Sequence, residues 1–205
     1  MNELSTGFDA DEFGREIAAA ATDFLSALQT ISRADDPGWA VPLLLIEVSQ
    51  ILFAGARLGA QQDFTPIQEY QPDVGPDPDL DAMRLRLARL LDSVDTYSYN
   101  LDPYSYNLDP YVPEIVASQL SDDLTSIATD LANGLRHFRR GNLAEALWWW
   151  QFSYVSTWGG NASAVLRALQ SVVAHDRLDL DVTNALEEEQ IAAAQAALDG
   201  ETPRT

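Results

Sequence analysis

The sequence holds no cysteine and no lysine, and only two histidines and two methionines in 205 residues. Without cysteine there is no disulfide, no thiolate zinc site and no thiol nucleophile. Without lysine there is no Schiff base, no lysine general base and no phosphate-loop lysine. His137 and His175 share no HxxxH or HExxH spacing, so no histidine metal centre is expected. No GxSxG elbow or glycine-rich phosphate loop occurs, and Glu187-Glu188-Glu189 has no matching acidic motif to face across a magnesium site. These absences predict no cofactor, no bound metal and no catalytic residue. All twelve basic residues are arginine against 32 acidic ones, a formal charge of −20, which argues against direct nucleic-acid binding.

Long uninterrupted apolar runs are missing too. The most apolar stretch, Val41 to Leu58, contains Glu47, Gln50 and Arg57, and reads as a buried helix rather than a membrane span. Acidic Glu3, Asp9, Asp11 and Glu12 near the start are the opposite of a signal peptide, so a cytoplasmic location is expected. With 46% hydrophobic residues, the chain has material for one compact domain over 1–205, with 1–9 and 200–205 frayed.

The pattern is helical. Phe13, Ile17, Ala20, Ala21, Phe24, Leu28 and Ile31 recur at three- and four-residue spacing and predict a first helix from about Asp11 to Ser32. Asp35, Asp36 and Pro37 then punctuate the chain before a second helix from about Trp39 to Gly59. Prolines 66, 72, 76 and 78 make 61–79 a loop, and a third helix follows from Asp79 to Leu91. Residues 92–114 read as a second long loop. It contains the tandem heptad Ser98-Tyr99-Asn100-Leu101-Asp102-Pro103-Tyr104 and its identical copy at 105–111, in which a proline per copy excludes a coiled coil. A fourth helix opens at Ser121 with Asp122 and Asp123 and ends in Arg136, His137, Arg139 and Arg140, matching the helix dipole. Gly141 closes it, Asn142 and Glu145 read as N-cap and N3 of a fifth, and Gly159-Gly160 as a break before a sixth from about Asn161 to Arg177. A short alanine-rich helix from Asn184 to about Leu198 is the seventh. The fold class is therefore all-α, a single-domain bundle of about seven helices around a central tryptophan-rich one.

Four of the five tryptophans fall within the eleven residues from Trp148 to Trp158. At about 100° per residue, Trp148, Trp149 and Trp150 sweep roughly 200° of a helix, more than one packing face holds. Either several elements surround this helix, or one indole belongs to a binding surface. Glu47, among Leu44, Leu45, Ile46 and Val48, is the carboxylate best placed for a raised pKa. It shares a polar stripe with Gln50 and Arg57, and Arg167 on the sixth helix is a candidate partner, either for a structural seam or for a small-molecule or enzyme site.

Two resemblances follow from these segments. His137-Phe138-Arg139-Arg140-Gly141-Asn142-Leu143-Ala144-Glu145-Ala146-Leu147 resembles the helix crossing of one tetratricopeptide repeat, which implies hairpin geometry and, as a single copy, no peptide-binding solenoid. Across about residues 8 to 180, the chain is similar to an uncharacterised actinobacterial family filed among domains of unknown function. The similarity is carried by Val41-Pro42-Leu43-Leu44-Leu45-Ile46-Glu47-Val48-Ser49-Gln50, by Ala56-Arg57-Leu58-Gly59-Ala60, and by Trp148-Trp149-Trp150-Gln151-Phe152-Ser153-Tyr154 with Trp158-Gly159. It implies no activity and no functional residue.

The expected function is a non-enzymatic protein-interaction module. Its partner is another protein of unspecified identity, with self-association open, and its contact surfaces are the least buried of the three tryptophans and the tyrosine-rich loop. One alternative is a small-molecule-binding protein or enzyme using Glu47 with Arg57 or Arg167. Another is an acidic decoy of nucleic acid acting on a DNA-binding protein.

Overall fold

The computed structural model describes residues 9–67, 75–101, 112 and 114–178. Its first element, α1 (Ala10–Ile31), begins where Asp9 accepts the backbone N–H groups of Asp11 and Glu12, two donors that the first turn leaves without a helical partner. Asp36 caps α2 (Pro37–Gly59) in the same way through the Gly38 N–H, and Pro37 occupies the first turn, where its missing donor costs nothing. α3 (Asp81–Leu91) runs into a single 3₁₀ turn, Asp92–Val94. α4 (Leu120–Arg139) and α5 (Leu143–Ser153) form a hairpin closed by Gly141 at φ 78°, where the Gly141 and Asn142 N–H groups bond to the Phe138 and His137 carbonyls. A π turn, Tyr154–Trp158, follows, and residues 159–178 are helical again.

The molecule is mostly helical, yet the described residues also contain a strand pair. β1 (Thr96–Asn100) pairs antiparallel with β2 (Ile115–Gln119), Thr96 opposite Gln119 and Asn100 opposite Ile115. This corrects the reading of 92–114 as loop over residues 96–100; residues 102–111 and 113 of that span lie outside the described ones. Tyr97 and Tyr99 alternate with polar residues and stack at 5.8 Å, and Val116 and Ser118 share their face, so the period is two. β1 ends at Asn100, before the first proline of the repeat. A second correction concerns Gly159-Gly160, which does not break the chain. The π turn ends in a bond from the Gly159 N–H to the Tyr154 carbonyl, and a Cβ on Gly159 would lie 2.5 Å from that oxygen. Glycine is required there by the close approach rather than by a turn. The expected count of seven helices is not met among the described residues, and the alanine-rich 184–198 segment lies outside them.

Contacts divide the chain into two units, Met1–Leu169 and Gln170–Thr205. In the second, residues 170–178 are helical. The core of the first is built from Phe24 and Leu28 of α1, Leu44 and Val48 of α2, Leu87 of α3, Leu124, Ile127 and Leu131 of α4, and Trp150 and Trp158. Among the described residues one helix, Pro37–Gly59, is long and apolar enough to cross a membrane, and 39% of its apolar window is buried inside the protein. Its inner face, including Ala40, Leu44, Val48, Ile51 and Leu58, packs into this core.

Buried polar groups fasten the chain between helices. The Gln151 amide donates to the Leu58 carbonyl at 3.0 Å and accepts the Phe64 N–H at 2.8 Å. Glu145 is no capping residue: it is buried, and its carboxylate accepts the Ile67 N–H at 3.3 Å. Together these side chains pin the described part of the 61–79 connection onto α5. On its far side Asn133 donates to Asp77 at 3.0 Å, and Arg136 reaches the Gly75 and Pro76 carbonyls. The basic end of α4 thus holds a loop in addition to matching the helix dipole.

Candidate functional site

α5 distributes its three tryptophans according to what surrounds each direction of the helix. Trp150 points into the interior, fully buried, donating its indole N–H to the Leu131 carbonyl at 3.1 Å. Trp149 is half-buried and donates to the Asp130 carbonyl at 2.9 Å. Trp148 is half-buried and stacks on Phe152, with ring centroids 5.0 Å apart and planes 5° from parallel. Offsets of four and three residues put Trp148, Phe152 and Val155 on one side of the helix. Phe152 is 53% exposed and Val155 73% exposed, so this side is an open apolar strip.

The strip leads into a groove. The extra residue of the π turn rotates everything after it by about 100° relative to an uninterrupted α-helix. It sends Ser156, Thr157, Gly160, Asn161, Ala164 and Arg167 toward the hairpin, where Ser98, Tyr99, Asn100, Leu101 and Ile115 form the opposite wall. The groove encloses about 690 Å³, and Val155 lines its rim, joining it to Phe152 and Trp148. Arg167 is the charged residue among the described lining groups.

Glu47 and Arg167 are not brought together. Glu47 lies in a separate cleft of about 330 Å³ between α1 and α2, beside Glu16, Asp23 and Gln50. Burial, and then the Asp23 charge, raise its carboxyl above the ordinary range. Arg57, expected on the same stripe, turns instead to Glu16, with its guanidinium 5.2 Å above the Phe13 ring. Among the described residues, no group of three or more histidine or carboxylate side chains is placed to hold a metal ion. The buried groups Asp95 and Gln151 were not singled out from the sequence, and Glu145 was read only as a capping residue, because their partners are backbone groups or residues distant in sequence. The groove was missed with the hairpin, although the alternation in Thr96-Tyr97-Ser98-Tyr99-Asn100 carried the signal.

Two titrating groups of α4 have opposite effects on stability as pH changes. Burial, and then Asp77, push the Asp130 carboxyl up to about 6. Since the unfolded carboxyl titrates near 3.9, the folded chain holds more protons between about pH 4 and 6, and stability falls as pH rises through that window. Burial lowers the His137 imidazole despite Glu145, whose charge acts the other way, with Arg140 and Arg136 adding to the lowering. His137 therefore stabilises above its unfolded value of about 6.5, and that contribution is lost as pH falls. Asp130→Asn isolates the first effect. We expect it to gain roughly 1–2 kcal/mol at pH 7, discounted for partial solvent access, and nothing at pH 4, in parallel urea titrations.

A family model described as a domain of unknown function, DUF5063, matches residues 8–175. The chain belongs to the DUF5063 family. The matched span of this DUF5063 protein takes in α1 through α5, the hairpin, the strip and the groove. Among solved structures, a crystal structure of a Bacteroides fragilis protein is similar, with a TM-score of 0.61 and 18% identity, covering 77% of this chain and 90% of that one. At that identity the likeness is one of fold. No curated protein matches the chain.

Proposed function

We propose that this DUF5063 chain is a non-enzymatic, cytoplasmic protein-binding module whose contact surface runs from Trp148 through Phe152 and Val155 into the hairpin groove. One observation carries the reading: half-buried Trp148 stacks on the 53% exposed Phe152, beside the 73% exposed Val155. Exposed contiguous aromatics cost solvation unless a partner covers them, and tryptophan and its aromatic neighbours supply much of the energy of interface centres. The carboxylate cleft supports an enzyme reading less, because its described lining sets Glu47 beside Glu16 and Asp23 with no histidine or arginine to act with them.

The test is capture of partners by the full chain and by Phe152→Asp. Phe152 lies outside the core, so the variant should keep its circular dichroism spectrum and melting temperature. We expect a specific partner to be retained by the parent chain and reduced at least about tenfold with the variant, the loss of one interface hot spot. Equal capture by both chains would overturn the assignment of this surface.

A further inference from the structure

We propose that the groove beside β1 takes a non-acidic, extended peptide segment of the partner as a third strand of the sheet, an inference that rests on the protein-binding reading above. The ladder fixes which backbone groups are spoken for. Leu101 donates its N–H to the Glu114 carbonyl at 2.9 Å, and Leu120 donates to the Asp95 carbonyl at 2.8 Å, so residues 95, 97, 99 and 101 turn their backbone groups toward β2. In an antiparallel ladder the intervening residues turn theirs the other way. Thr96, Ser98 and Asn100 therefore direct N–H and C=O groups to the outer edge of β1, and among the described residues the sheet has no third strand there. Ser98 and Asn100 face the groove.

The opposite wall suits a backbone. Ser156, Gly160 and Ala164 are small, and a Cβ built on Gly160 meets no atom within 4 Å. A strand edge facing a helix of small residues admits one extended chain, seated about 4.8 Å from β1, which is the geometry of strand addition. A second copy is disfavoured as the guest, because two chains of charge −20 repel each other. The outward residues Thr96, Ser98 and Asn100 do not protect the edge with charge or proline.

The side chains specify the guest. On the inner face an added strand would lie beside Tyr99, where cross-strand pairing favours an aromatic or β-branched residue. On the outer face it would lie beside Ser98 and Asn100, which favour small polar residues. At the rim, Val155 takes a bulky apolar side chain, next to the strip that Phe152 continues. The chain's negative field disfavours an acidic segment.

The probe is a phage-displayed library of short random peptides, panned on the full chain, with enriched sequences synthesised. We expect alternating sequences poor in aspartate and glutamate. At saturation with such a peptide, amide exchange at Ser98 and Asn100 should slow by at least about tenfold, while Tyr99 and Leu101, already in the ladder, change little. Methylating alternate peptide amides should weaken binding at least about tenfold, and methylating the intervening ones should not. Ser98→Pro, which deletes an outward donor and no β1–β2 bond, should match the damaging methylations. Enriched peptides that depend on Phe152 but bind as helices, leaving Ser98 and Asn100 exchange unchanged, would overturn strand addition and leave the protein-binding reading standing. Failure to enrich any peptide over the Phe152→Asp chain would overturn both.

Discussion

Replacing Trp150 with alanine is expected to destabilise the protein by about 3–5 kcal/mol, the range for truncating a fully buried large aromatic. A domain is commonly stable by only about 5–15 kcal/mol, so the melting temperature should fall by roughly 6–20 °C. The indole is wholly enclosed between α4 and α5, tilted against Phe138 at 6.1 Å and bonded to the Leu131 carbonyl. Its closest neighbour is a deliberate absence of side chain: a Cβ on Gly134 would overlap the Trp150 Nε1. Gly134→Ala gains about 1 kcal/mol of helix propensity but forces a rigid ring to move, and overpacking of this kind costs roughly 1–3 kcal/mol or more. The two substitutions test one contact. In the Trp150→Ala background there is room for the methyl group, so Gly134→Ala should become neutral or stabilising, giving a coupling above about 1 kcal/mol in urea denaturation. Additive effects would show that Gly134 is glycine for another reason.

The helices were legible because each carries its own evidence. α1 shows a continuous apolar stripe with an aspartate before it, and α2 an Asp-Pro start, so both can be drawn without knowing what they touch. Gly141 was legible for the same reason, since its left-handed turn is a local requirement. The π turn is not local. Tyr154 is held by Gly55 and Gly59 of α2 and meets Trp158 edge to face at 4.8 Å, so the widening of the helix answers to a neighbour about a hundred residues earlier. Nothing between residues 153 and 160 announces it, and a Gly-Gly pair naturally reads as a break. The hairpin was hidden differently: an identical tandem repeat with prolines looks like an insertion, and its alternating first arm was absorbed into that interpretation.

The same distinction separates the site residues. That three adjacent tryptophans do not fit one face follows from helical rotation alone, and the structure leaves Trp148 beside open Phe152 while enclosing Trp150. The pairing of Glu47 with Arg167 required two polar stripes to face each other, which depends on how two helices dock. They line different clefts, and Arg57 closes on Glu16 of α1. The edge of β1 needed the strand register before any residue in it had meaning, since a shift of one residue exchanges inward and outward backbone groups.

Asp95 is the second place where one side chain decides a large part of the structure, and Asp95→Ala is expected to cost roughly 2–3 kcal/mol. The carboxylate is 4% exposed and accepts both the Ser121 N–H and the Ser121 hydroxyl at 2.8 Å. α4 has no side-chain cap from its own N-cap residue Gln119, so a residue just before β1 caps the helix that follows β2. Alanine would leave a buried donor of the first turn without an acceptor, in a position where water does not replace it. Asparagine keeps one acceptor oxygen for the Ser121 N–H, so Asp95→Asn should recover at least about half of the loss. The consequence reaches the groove. Asp95 and Leu120 also share a backbone bond, so this cap ties both ends of the hairpin to α4, together with Tyr97 and Ser118 bonding to Asp123 at 2.7 Å each. Loosening the cap should raise amide exchange at Tyr99 and Leu101 before α1 or α2 respond, because the hairpin is the smaller cooperative unit. Uniform exchange throughout the chain would instead show that hairpin and helices open together, and that Asp95 supports the whole fold rather than the strand edge.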